Sequence, residues 1–142
     1  MTREPSKDYI RSYLGVAQEV LEDAETMLQR GRLRTSLDRS YYAMFHAAQA
    51  LLLHRGFPLP KSHHAVISLF GREVARKGVM TRESGRILAQ AFDLRRAGTY
   101  DVDVELDSHQ IALVVERARW FVGEVEKVMG ANLQPKEGES HA

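Results

Sequence analysis

The sequence predicts an all-α protein, folded as an antiparallel up-and-down bundle of four to five helices. Apolar residues recur at spacings of three and four in five successive segments. Each segment is bounded by a capping residue, a glycine or a proline. The one stretch that alternates in the manner of a strand has no second strand to pair with. The 142 residues are the usual size of a single domain and suffice to bury a core. We expect residues 1–130 to form the helical domain and the polar residues 131–142 to form a disordered tail.

The first helix places Ile10, Leu14, Ala17, Leu21, Ala24 and Leu28 on one face, with Gly31 as its stop. The second runs from about Thr35 to Arg55 and is apolar nearly all round, ending where Gly56, Pro58 and Pro60 forbid continuation. Ser62 is a natural N-cap for a third helix, which turns Val66, Leu69, Phe70 and Val74 inward and closes at Gly78. Thr81 caps a fourth, carrying Ile87, Leu88, Ala91, Phe92 and Leu94 and expected to stop at Gly98. The acidic stretch from Thr99 to Leu106 reads as a loop. A fifth helix starts at Asp107, with Gln110 placed for a capping box, and continues through Phe121 and Val125 to Met129. Gly71 and Gly85 stand alone within helices, where they suit close helix crossings better than phosphate cradles.

Composition removes several function classes. There is no cysteine, which excludes disulfide scaffolds, thiolate zinc sites and cysteine nucleophiles. No apolar run approaches the roughly 18 residues of a spanning helix, and no leader is evident, so a cytoplasmic protein with no membrane partner is expected. Glycine-rich strand-to-helix turns, a Walker lysine and a nucleophile elbow are missing, and no cofactor is expected.

The net charge of +1 conceals a segregation along the chain. Gln29 to Arg96 holds thirteen basic and four acidic residues, a balance of +9, while the remainder holds seven basic and fifteen acidic, a balance of −8. Basic middle helices invite an anionic partner such as RNA, DNA or a nucleotide. They equally suit pairing with the acidic flanking helices, inside the fold or across a dimer.

On the apolar second helix, Arg39, Tyr42, His46 and Gln49 fall on one stripe. Unpaired polar groups in a core cost about 1–3 kcal/mol each, so these side chains need partners. Arg39 and His46 lie two turns apart, about 10.5 Å along the axis, too far to grip one phosphate alone. They read as a polar network in which Arg39 reaches Tyr100, Asp101 or Asp93, or as contributors to a site. Near the third helix start, His63 and His64 diverge by about 100° and lack a carboxylate at the spacing of helical metal ligands, so no metal site is expected. His63 or His64, together with Lys61, suits either simple capping or a phosphate-facing helix end.

The run Arg39-Ser40-Tyr41-Tyr42-Ala43-Met44-Phe45-His46-Ala47-Ala48, then Gly56, Lys61-Ser62-His63-His64, Val66-Ile67-Ser68-Leu69-Phe70 and Leu94-Arg95-Arg96-Ala97-Gly98-Thr99-Tyr100-Asp101, resembles the HEPN superfamily, and within it the small single-domain bacterial and archaeal proteins. The resemblance spans roughly Tyr9 to Met129. It implies a helical bundle that commonly forms a homodimer, often encoded beside a minimal nucleotidyltransferase as a toxin–antitoxin pair. Many such domains are metal-independent ribonucleases marked by an arginine followed, after four to six residues, by a histidine. Here Arg95 matches the arginine, and Tyr100 stands where the histidine would be, followed by Asp101.

Tyrosine, with a pKa of about 10 against about 6.5 for imidazole, carries protons poorly at neutral pH. Tyr100 would instead bind a phosphate oxygen, stack on a base or be the residue a partner modifies. The resemblance therefore nominates Arg95 and Tyr100 as catalytic candidates, and Arg39, Tyr42, His46, Lys61, His64, Arg96 and Asp101 as nucleotide- or RNA-binding candidates. The competing reading is an Arg95–Asp101 ion pair that fastens the helix end, plugged by Tyr100. A non-catalytic interaction module, burying a partner helix against Trp120, is the third reading.

Overall fold

The computed structural model describes residues 4–133, with the backbone alone for Tyr100 and residues 131–133. Five α-helices, α1 (Lys7–Gln29), α2 (Leu33–His54), α3 (His63–Phe70), α4 (Arg82–Tyr100) and α5 (Ser108–Leu133), follow one another, with a π-helical turn over Gly71–Ala75 after α3. No strand occurs among the described residues. The protein is an all-α helical bundle.

Helix α2 is apolar all round because it is the centre of the bundle, packed against α1, α3, α4 and α5. Tyr41, Met44, Leu51 and Leu52 on it are fully buried. Small residues let α1 approach closely: Ala17 and Ala24 on α1 and Ala43, Ala47 and Ala50 on α2 have no exposed surface. Ser36 is buried there too, and its Oγ donates to the Ala24 carbonyl at 2.8 Å. Gly31, at φ 73°, makes the left-handed turn that reverses the chain between α1 and α2. Polar pairs across the outer faces, Gln18 with Glu126 and Glu25 with Arg119, fix α1 and α5 as antiparallel.

The Ser62 hydroxyl caps α3 by accepting from the Ala65 N–H at 3.0 Å. The expected third helix does not continue to Gly78 in α-form. Its second half widens into the π turn, with the Arg76 N–H bonded to the Gly71 carbonyl at 2.9 Å. Here α4 crosses closely, since a Cβ on Gly85 would lie 3.2 Å from the Ala75 Cβ and 3.9 Å from the Gly71 Cα. Gly85 thus serves the crossing for which its isolation in the sequence nominated it, whereas a Cβ on Gly71 would meet nothing within 4 Å.

Gly98 does not stop α4, which runs to Tyr100. Its backbone is right-handed, since the left-handed glycines among the described residues are Gly31, Gly56 and Gly78. What Gly98 provides is proximity to α2: a Cβ there would meet Leu37 Cδ2 at 3.4 Å. The expected loop begins at Asp101, since Thr99 and Tyr100 belong to α4, and it is turned by Asp101, whose Oδ1 accepts from the Asp103 N–H at 3.0 Å. Helix α5 opens with the Ile111 N–H bonded to the Asp107 carbonyl. It extends past Gly130, so the first residues assigned to the tail are helical, and residues 134–142 lie outside the described residues.

Candidate anion-binding site

The antiparallel packing of α2 on α4 brings Arg95 against the polar stripe of α2. Arg95 Nε donates to Asp38 Oδ1 at 3.0 Å, and its Nη2 approaches the Tyr42 hydroxyl at 3.4 Å. Asp38 also accepts from Arg39, whose Nη2 lies 2.7 Å and Nε 3.2 Å from Oδ2. One carboxylate therefore orients two guanidinium groups. Both also lie over the Tyr42 ring, Arg39 at 5.3 Å and Arg95 at 5.1 Å from its centroid. Burial opposes the charge on Arg95, but the hydrogen bond to Asp38, helped by Tyr42 and Tyr41, outweighs it and raises its pKa.

A second layer is aromatic and imidazole. Tyr41 is fully buried, and its hydroxyl lies 2.7 Å from His63 Nδ1. The His63 ring stacks on Phe45, with centroids 4.1 Å apart and planes within 12°. His46 packs on Tyr42 at 5.9 Å, with its Nδ1 3.1 Å from Gln49 Oε1. Burial lowers the pKa of both imidazoles; Arg95 and His46 add to the effect on His63, and Arg39 adds to it on His46 against the Gln49 hydrogen bond. Burial likewise pushes the Tyr41 hydroxyl upward, so it keeps its proton. At neutral pH the cluster carries cationic arginines beside neutral imidazoles.

Next to the Asp38–Arg95 pair opens a cleft of about 250 Å³ lined by Arg34, Thr35, Leu37, Asp38, Arg95, Gly98 and Thr99. Arg96, exposed one residue on, lies over Phe92 at 5.4 Å. The arrangement can hold an anion: fixed guanidinium donors at an open edge, with one opposing carboxylate. Among the described residues no cluster of three His, Asp or Glu is placed to hold a metal ion. No helix there is long and apolar enough to cross a membrane.

A HEPN domain model matches residues 10–128 of the chain. The chain belongs to the HEPN family. A "UPF0332 protein" of Thermotoga maritima is 33% identical over 113 residues, covering 80% of this chain and 85% of its own length. A protein of Methanocaldococcus jannaschii named "Putative toxin MJ0605" is 30% identical over 123 residues, covering 87% and 90%. A "UPF0332 protein" of Gloeobacter violaceus is 40% identical over 113 residues, covering 73% and 89%.

The structure gathers Arg39, Tyr42, His46 and Arg95 of this HEPN protein into one cluster, with Arg96 at its rim. It corrects the partner foreseen for the arginines. Arg95 pairs with Asp38, not Asp101, and Arg39 reaches Asp38 rather than Asp93 or Asp101. Asp101 is exposed and occupied in its own turn. Lys61 and His64 are exposed at the start of α3 and join none of the cluster's described contacts. Tyr100 ends α4, and its side chain lies outside the described residues.

Two members went unnamed among the sequence candidates, Asp38 and Tyr41. Asp38 had a signal, because it sits one helical turn before Tyr42 on the same stripe and is one of four acids in a basic segment. His63 was marked by its place at the start of the third helix, but nothing in the sequence marked its contact with Tyr41.

Proposed function

We propose that this HEPN protein recognises RNA or a nucleotide through its phosphate, as a component of a toxin–antitoxin-type system. The observation that carries the reading is Arg95 held by Asp38 at an open cleft that Arg34 also lines, with Arg39 bound to the same carboxylate. Two guanidinium groups against one carboxylate leave the cleft lining cationic, in keeping with the +9 middle segment. The toxin name borne by the Methanocaldococcus relative supports the system-level part. The same reading includes a homodimer that works with a minimal nucleotidyltransferase, and size measurement alone and with that partner tests it.

Fluorescence anisotropy with a labelled oligoribonucleotide and with mononucleotides tests recognition directly. Affinity should fall steeply as salt rises, because phosphate contacts release counterions. Arg95→Met should weaken binding at least about tenfold, the loss of a charge-assisted contact. Affinity that is absent, or indifferent to salt, overturns the reading.

A second reading, metal-independent cleavage of RNA, is favoured by one observation: His46 and His63 bring imidazoles to the Arg95 cluster although the arginine motif lacks its histidine. A neutral imidazole suits proton abstraction from a ribose hydroxyl, and Arg95 suits the developing phosphorane charge. RNA incubated with the protein in chelator should then be cut, and cutting should cease in Arg95→Met. Equal cutting by the variant would trace the activity elsewhere.

A further inference from the structure

A second cationic cleft opens at the other end of α4, where the chain passes from the π turn into that helix. Its volume is about 500 Å³, and its lining includes Arg76, Lys77, Arg82 and, from α5, Glu124. Lys77 pairs with Glu73 at 2.8 Å, and Glu124 is taken up by Lys127 at 3.0 Å. Arg76 and Arg82, both exposed, make no hydrogen bond or ion pair among the described residues. The one carboxylate on the wall is therefore engaged elsewhere, and two guanidinium groups of the lining have no counterion from the chain.

The backbone that carries these cations is fixed. A π turn contains one residue more than an α turn, so it rotates the segment after it by about 100°. In an uninterrupted helix Lys77 would share the face of Val66 and Phe70, both buried. The widened turn over Gly71–Ala75 removes it from that face, and Arg76 and Lys77 are both exposed while Val74 and Ala75 stay in the core. Behind them the Gly78 N–H donates to the Ala75 carbonyl at 3.2 Å and the Val79 N–H to the Val74 carbonyl at 3.0 Å, and buried Met80 anchors the connection. The turn that presents the cations thus needs no ordering when a ligand arrives.

The surroundings favour a chain of anions over a single small one. Arg82, Arg86 and Arg96 fall within about 80° of one another on the outward side of α4. All three are exposed, Arg86 in a loose pair with Glu83 at 3.6 Å, and Asp93 is the one acid between them on that stripe. They lead from the cleft to Arg96, the neighbour of Arg95, and Arg82 and Arg95 are about 20 Å apart along the helix axis. At about 3.4 Å of stacked strand per phosphate, roughly six phosphates cover that distance. A free phosphate fills one end only, whereas a nucleic-acid backbone engages both.

Resting on the phosphate-recognition reading above, we propose that the cleft of Arg76, Lys77 and Arg82 is a second, separate site for the phosphate backbone of the same nucleic-acid strand. The protein then grips a strand of about six or more nucleotides at both ends of α4. Arg76, Lys77 and Arg82 contact phosphate and carry no base preference. Two modest sites joined by one strand multiply their affinities, while a mononucleotide meets the Arg95 site alone.

The test is fluorescence anisotropy with labelled oligouridylates of one, three and twelve nucleotides at several salt concentrations. Wild type should bind the 12-mer at least about a hundredfold more tightly than the 3-mer, the gain of linked sites. Arg76→Gln, Lys77→Gln and Arg82→Gln combined should cut that gain to about tenfold, which the choice of registers on a longer strand supplies by itself. The same variant should flatten the logarithmic salt slope of 12-mer binding by about two, three contacts at about 0.7 each. Its affinity for the 1-mer and 3-mer should stay at the wild-type value, which also reports an intact fold. Arg82→Glu alone, at an exposed position, should show the same pattern, and Arg95→Met should weaken every length.

A 12-mer gain and salt slope unchanged in the triple variant and in Arg82→Glu overturn the second site and leave phosphate recognition at Arg95 standing. Equal loss of 1-mer and 12-mer binding in Arg82→Glu overturns the separateness of the two sites. Binding of no nucleotide at any length overturns both readings. An oligoglutamate of matching charge that binds as tightly as the 12-mer, and loses that affinity in the triple variant, assigns the cleft to an acidic protein segment and overturns its assignment to a nucleic acid.

Discussion

Asp38 on α2 accepts the Nε–H of Arg95 on α4 at 3.0 Å, and the same carboxylate holds Arg39 at 2.7 Å. A single acid in a basic stretch of chain thus sets the geometry of two arginines and joins the second helix to the fourth.

That pair should contribute measurably to stability. Its side chains are 23% and 30% exposed, so solvent screens the attraction without abolishing it. A double-mutant cycle of Asp38→Ala and Arg95→Met, measured by urea unfolding, should return a coupling of about 1 kcal/mol. A coupling near zero would mean the carboxylate positions Arg95 without stabilising the fold.

The glycines divide by surroundings. A Cβ on Gly15 would meet nothing within 4 Å, whereas one on Gly85 would press on Ala75 at 3.2 Å. Gly15→Ala should stabilise by about 0.5–1 kcal/mol through helix propensity. Gly85→Leu should destabilise by about 1–3 kcal/mol, because α4 must move away from the π turn. Thermal or urea unfolding of the two variants should shift in opposite directions.

Acid should weaken the fold through its histidines. His46, His54 and His63 all have pKa values lowered, chiefly by burial. The unfolded chain, with imidazoles near the ordinary value of about 6.5, therefore binds protons before the folded one does. Stability is complete above that value and is lost as pH falls through the folded pKa values. The urea midpoint should drop between pH 7.5 and pH 5, and His46→Phe with His63→Phe should flatten that dependence.

The Tyr41 hydroxyl should govern His63. Tyr41→Phe removes a donor that favours the neutral ring, so the His63 titration followed by NMR should move upward, with a stability loss of about 1 kcal/mol. A downward movement would show that Tyr41 accepts from the ring instead of donating to it.

Much of the fold was legible because its causes are local. The all-round apolar character of α2 announced a buried helix, Ser62 announced its cap, and Gly85 announced a crossing. The π turn and the passage of α4 through Gly98 were not legible. Both depend on how α4 sits against its neighbours, and a spacing of apolar residues is the same in an α-turn and a slightly widened one.

The site divided along the same line. By itself the sequence determined the helices, the polar stripe Arg39, Tyr42 and His46 on a helix otherwise fit for burial, and the likeness to HEPN proteins, because periodicity and motif order are written in consecutive residues. Only the tertiary structure decided that Arg95 turns to Asp38 and not to Asp101, and that His63 meets Tyr41. Those choices follow from the register between α2, α3 and α4. That register is set by the whole packed core, which no single segment contains.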